Sequence, residues 1–167
     1  PVVAEEGGGL GKVGVGIYAR ELMEALPLLP VEENGRLNDV RLRENFVLRV
    51  VAYARWQALI ADGLSTHGLQ EFHRRHKFLL LAHNQQIYRE LGPLVANPDN
   101  LEQAAEEYIH RFMLALKRPA STKNHTNTLM HIQGFFKNHL DSDDRAQLTP
   151  VSYTHLRAHE ASLHLVC

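Results

Sequence analysis

The sequence has almost no cysteine: a single thiol, Cys167, stands at the last of 167 positions. One thiol excludes an internal disulfide and any cluster held by cysteines alone, so redox or iron chemistry would need ligands from elsewhere. Nor is there an excess of charge of either sign, with 18 Lys and Arg against 19 Asp and Glu and a pI near 7.0. Without a global field, any nucleic-acid contact has to rest on a local patch. No apolar run approaches the roughly 18 to 20 residues that cross a bilayer, and the first residues lack the charged-then-apolar order of a secretion signal. A soluble, cytoplasmic protein with no membrane partner is the expectation. The length suffices for one ordinary domain with a real core.

What is present changes character near Asp39. Before it, a glycine-rich stretch, "EEGGGLGKVGVG", leads into "VGIYARELMEAL", where Ile17, Leu22, Ala25 and Leu26 share a helical stripe. "PLLPVEENG" then reads as a short strand ending in turn residues. A lone helix and strand cannot bury their apolar faces or pair their ladder groups. Residues 1–38 are therefore expected to be the C-terminal remnant of an α/β domain, and the start at Pro1 is expected to be a cut. From Asp39 onward helices follow one another across short breaks, the pattern of an all-α domain. The expected fold class is mainly α: a bundle of about five helices over residues 39–150, preceded by the helix-strand remnant.

Within the bundle, Asn38 or Asp39 can cap a long helix whose Leu42, Phe46, Val50, Tyr53 and Leu59 recur at helical spacing. Tyr53 and Trp56, spaced with Phe46, read as core, and Asp62-Gly63 stops the helix. A second helix runs from Ser65 to about Asn84, and "QQIYRELGPLVAN" forms a shorter third. Asp99 followed by Glu102 makes a capping-box pattern for the fourth, which ends at the cationic Lys117, Arg118 and Pro119. "STKNHTNTLMHIQGFFKNHL" is the fifth, with a short acidic-capped turn "DSDDRAQL" behind it. The last stretch, residues 151–167, has no coherent period and holds three of the eleven histidines. It resembles translated sequencing adapter, and a non-native tail is expected there.

Familiar motifs are weak or absent. Gly14, Gly16 and Ala19 match the GxGxxA form of a dinucleotide fingerprint, but no hydrophobic strand precedes them to aim the turn. "GGGLGKV" fails as a P-loop because Val13, not Ser or Thr, follows Lys12. His73 and His76 have chelating spacing, yet no third ligand shares their helix, so no metal is expected. The informative segment is "EFHRRHKFLLLAHNQQIYRELG", residues 71–92. At 100° per residue His73, His76, Lys77, Leu80 and His83 fall in one stripe of an otherwise apolar helix. On the fifth helix Asn124, Asn127, Thr128, His131, Gly134 and Asn138 share one sector, and Leu129, Ile132 and Phe136 another. If the two stripes face each other they enclose a polar cleft, a place where a bundle can hold a ligand. If they do not, each is a solvated surface.

"FHRRHKFLLLAHNQQIYRELG" and "NHTNTLMHIQGFFKNHL" resemble the two signature blocks of the YbgA-type domain (domain of unknown function 1722). The stretch from Gly14 to Leu59 resembles its junction with a thiouracil-desulfurase-like domain (domain of unknown function 523). The resemblance implies an accessory helical domain of a two-domain thiolated-nucleobase desulfurase. It further implies that a [4Fe-4S] cluster on three cysteines belongs to the upstream domain, leaving no cofactor in this chain. It also implies that the native carboxyl end of the helical domain is replaced here by the tail. Partners would be that upstream domain and a thiolated nucleoside or tRNA. The expected ligand-binding residues are His73, His76, Lys77, His83, Tyr88, His125, Asn127 and His131. Lys77, Arg74 and Lys123 would meet phosphate, and Tyr88 would stack on a base. Two alternatives stand beside this: an independent enzyme with His83 or His131 as general base, and a structural domain whose stripes only fix helix register and dock the upstream domain.

Overall fold

The computed structural model describes residues 17–136, 141–144 and 146. Among these residues the elements are seven helices: α1 (Ile17–Ala25), a 3-10 helix (Asn34–Asn38), α2 (Val40–Ala61), α3 (Thr66–His83), α4 (Gln85–Ala96), α5 (Leu101–Leu116) and α6 (Thr122–Phe136). The expected strand at 27–35 is not formed, and no strand occurs among the described residues. The expectation of a helix-strand remnant is thereby overturned, and the architecture is all-α. The physical reason is local. Pro27 and Pro30 carry no N–H for a ladder, and the chain turns at once, with Leu29 N donating to Leu26 O at 3.0 Å. Leu28 packs instead on the helical core. Gly14 and Gly16 of the fingerprint-like motif, Asn138 and the 151–167 segment lie outside the described residues.

Short polar residues set the helix starts. The side chains of Asp39, Ser65 and Asn100 each accept from the amide three residues on, at 3.0 Å, satisfying N–H groups that a helix start leaves unpaired. The start of α5 corrects the sequence reading by one residue: Asn100, not Asp99, is the cap. Asn84 ends α3 and begins α4, accepting from Gln86 N and Ile87 N. Gly63, at φ 97°, makes the turn out of α2 in a conformation that disfavours a side chain.

Helix α3 packs against α2, α4, α5 and α6. Its buried line is Leu69, Phe72, His76 and Leu80, and α5 supplies Tyr108, Ile109, Phe112 and Leu116 opposite. An aromatic seam runs through the middle. Trp56 meets Phe72 edge-on at 5.2 Å and Tyr108 stacks on Phe112 at 5.8 Å, arrangements worth about 0.5–1.5 kcal/mol each beyond their burial.

Helix α2 departs from its own hydrophobic pattern. Its inner face is Asn45, Arg49, Ala52 and Trp56, whereas Val40, Val47, Leu48, Val50 and Val51 are exposed. Val50, expected inside, is outside; Tyr53 and Leu59 pack at the margin of the core. Trp56 explains the rotation. Once its ring enters the aromatic seam, the rigid helix carries the positions 4, 7 and 11 residues earlier to the same face. Those positions are Ala52, Arg49 and Asn45.

Candidate functional site

The imidazole stripe of α3 faces the protein interior, and the structure divides it. His73 and His83 are ten residues apart, about 15 Å along the helix axis, so they serve different surroundings.

Near the middle of α3, His76 is 3% exposed. Its Nδ1–H donates to Phe72 O at 2.8 Å, while Arg55 Nη1 lies 3.4 Å from its Nε2. One nitrogen donates and the other accepts, which fits a neutral ring. Burial, followed by the charges of Arg55 and Arg75, holds its pKa below the ordinary value despite the opposing pull of the Phe72 carbonyl. His73, one turn earlier, is half-buried and takes the Tyr108 hydroxyl on Nδ1 at 3.2 Å. Burial first, then Lys77 and His76, lowers its pKa, and burial raises that of Tyr108. A proton on the phenol and a lone pair on the imidazole complete that bond. Tyr88 stacks on His73 with centroids 6.4 Å apart.

At the carboxyl end of α3 lies a different arrangement. His83 Nδ1 is 2.8 Å from Leu79 O and its Nε2 is 3.0 Å from Asn45 Oδ1. Asn45, 6% exposed, uses its Nδ2 to donate to Leu116 O at 3.0 Å. Three helices, α2, α3 and α5, are thus tied by one chain of polar contacts, and His125 of α6 stands near enough for its charge to act on His83. Both His83 nitrogens face acceptors, which only the imidazolium satisfies fully. Burial nevertheless pushes its pKa down, with the Leu79 carbonyl opposing and His125 adding to the depression. The neutral ring therefore leaves one acceptor facing another, and an unmet polar contact in the interior is costly.

One turn after Asn45, on the same face, Arg49 is 7% exposed. Its Nη1 sits 3.9 Å from Glu32 Oε2, while Glu32 Oε1 is held by Arg36 Nε at 2.7 Å. Its Nε is buried without a hydrogen-bond partner. Burial lowers the Arg49 pKa and Glu32 partly restores it.

The remaining expected residues are dispersed. Lys77 Nζ lies 5.2 Å over the rings of both Phe78 and Phe135. Arg74 and Arg75 each pair with Glu71 at 2.6 Å, and their hydrogen bonds hold that carboxyl down to about 2. On α6, His125, His131 and Lys123 are exposed, Asn127 is half-buried and Thr128 is buried with an unpartnered hydroxyl. Leu129 and Phe136, expected to form the other sector, are exposed. Of the α6 residues His125 acts on His83 through its charge alone, and His131 lies on the surface.

Asn45 and Arg49 are absent from the sequence reading, and Glu32, paired with Glu33, reads there only as a turn charge. The signal for Asn45 and Arg49 was their register with Trp56, masked by six exposed aliphatic residues on the same helix. Among the described residues no group of three or more His, Cys, Asp or Glu is placed to hold a metal ion. No described helix is long and apolar enough to cross a membrane.

Fold and site together define an all-α bundle domain with a polar junction inside one end. The chain belongs to the family described as "Protein of unknown function (DUF1722)", whose model matches residues 77–164. That match includes His83, Tyr88, His125, Asn127 and His131, and extends through most of the segment 151–167. The chain is also 35% identical over 130 residues to "Uncharacterized protein YbgA" of Escherichia coli (strain K12), an alignment that covers 76% of this chain and 77% of the relative. No solved structure matches it.

Proposed function

We propose that this chain is a helical ligand-binding module that serves a thiolated-nucleobase desulfurase, with residues 39–150 as its domain. The ligand, a thiolated nucleoside or nucleotide, is held at the junction of α2, α3 and α6 by His83, Asn45, His125 and Asn127. The observation that carries this reading is the His83–Asn45–Leu116 chain, part-buried at His83 and buried at Asn45, whose polar groups are incompletely satisfied by the protein alone. A ligand with an amide-like edge offers the missing donor or acceptor.

Desulfurisation itself is assigned to an upstream domain. A cluster on three thiolates does not fit a chain with one cysteine, so no step of that chemistry belongs to these residues. The exposed valine face of α2, next in sequence to residues 1–38, supports docking of that domain here. A small ligand is favoured over an intact tRNA, because Arg74 and Arg75 are already paired with Glu71 and the chain has no net positive charge.

An independent enzyme has less support. Each His83 nitrogen already faces a protein acceptor, and a general base needs a lone pair open to substrate. For His76 a structural role accounts for both ring nitrogens.

Calorimetric titration with 2-thiouridine tests the reading. His83→Ala should weaken binding at least tenfold, whereas His131→Ala, on the exposed side of α6, should leave it within twofold. Equal affinity in a folded His83→Ala variant would reject the proposal.

A further inference from the structure

We infer that Arg49 anchors an anion-binding site within this junction, and that the ligand it accepts carries a small oxyanion, a phosphate or a carboxylate. The inference rests on the binding reading above and adds the chemical class of the ligand.

A guanidinium stays charged at any ordinary pH, so burying one without a close counter-ion is unfavourable. Arg49 is 7% exposed, and its contact with Glu32 is 3.9 Å. That separation is well beyond the roughly 2.7–2.9 Å of a charge-assisted hydrogen bond. Glu32 is also divided between two cations, since its other oxygen holds Arg36 at 2.7 Å. The buried Nε has no hydrogen-bond partner. Nε with a neighbouring Nη is one of the forks by which arginine grips two oxygens of a carboxylate or phosphate. Here one arm of the fork is unpartnered and the group is under-neutralised.

The surroundings suit such a ligand. Asn45 lies one helical turn away on the same face of α2, and its side chain is polar and bonded to His83 at 3.0 Å. The cations expected from sequence to meet phosphate are engaged elsewhere: Arg74 with Glu71, and Lys77 over two phenylalanine rings. Packing of Trp56 turns Arg49 inward while α2 exposes valines, and Glu32 at 3.9 Å only partly answers the charge so placed.

The test uses the whole chain and inorganic phosphate, with chloride at equal ionic strength as control and acetate as the carboxylate probe. Two signals are read: the melting temperature, and the Nε–H resonance of Arg49 by NMR. Phosphate or acetate should raise the melting temperature by several degrees and shift or slow the exchange of that resonance. Arg49→Lys, which keeps the charge and loses the fork, should weaken the response at least tenfold. Arg49→Met should abolish it and leave the anion-free protein as stable or more so. If Glu32 instead neutralises Arg49, phosphate and acetate will act no differently from chloride, and Arg49→Met and Glu32→Gln will both lower the melting temperature; the inference is then overturned. A comparison of 2-thiouridine with its 5′-monophosphate separates the two readings. A monophosphate that binds at least tenfold tighter, with the gain lost in Arg49→Lys, supports the anion site. Equal binding of both with no phosphate response sinks the anion site and keeps the nucleoside reading. A phosphate response without binding of either compound sinks the nucleoside reading and keeps the anion site.

Discussion

Two histidines a few turns apart on α3 show how residue-scale context assigns a role. His76 has one donor-type and one acceptor-type contact and is complete as a neutral ring. His83 has two acceptors and is complete only when charged, in a place that disfavours charge. The first is a structural pin; the second is a group whose bonding the protein leaves unfinished. Asn45 is the hinge of that second arrangement. Removing its amide strands the Leu116 carbonyl and one His83 nitrogen, so Asn45→Ala should cost about 1–3 kcal/mol in a urea titration. Val47→Ala, two positions away on the exposed face, should stay within about 0.5 kcal/mol. Similar costs for the two would mean that α2 is not rotated as described. Because Asn45 and Val47 differ in the opposite sense to their burial, this pair reads out the helix orientation directly.

At the scale of the element, the helices are terminated by specific local chemistry and oriented by a few large side chains. Asn84 is shared, ending α3 with its backbone and starting α4 with its side chain. Asn84→Ala should lower stability by about 1 kcal/mol, near the middle of the range for a lost N-cap. Gly63→Ala should cost a similar amount, about 1–2 kcal/mol, because φ 97° crowds a Cβ. Both changes can be followed by thermal unfolding, and neither residue belongs to the junction. Orientation is a separate matter. Trp56 fixes the rotation of α2 through its contacts with Phe72 and Tyr108, and the polar residues upstream follow because the helix is stiff. The caps at Asp39, Ser65 and the α3–α4 break were legible from residue type alone. The inner face of α2 was not, since six exposed aliphatic residues gave the misleading signal.

For the molecule as a whole, buried imidazoles make stability depend on pH. His73, His76 and His83 all have folded pKa values lowered by burial, against about 6.5 in the unfolded chain. Between the folded values and about 6.5 the unfolded chain binds more protons, so stability rises with pH through that window and is fully present above it. The urea midpoint should therefore fall as pH is lowered from about 7 to 5, and His76→Gln should flatten part of that slope. A midpoint independent of pH over this range would contradict the burial of these rings. Sequence alone determined the helical character beyond Asp39, most helix ends and the family, because caps, breakers and contiguous motifs are short-range properties of the chain. It also singled out His83, which the fold ties to Asn45 of α2. The absence of a strand in 27–35, the split of the α3 stripe into separate surroundings and the burial of Asn45 and Arg49 were decided only in the tertiary structure. Each depends on which helix face meets which neighbour, a choice made jointly by Trp56, Phe72, Tyr108 and Phe112 across three helices, and no window of a single helix contains that information.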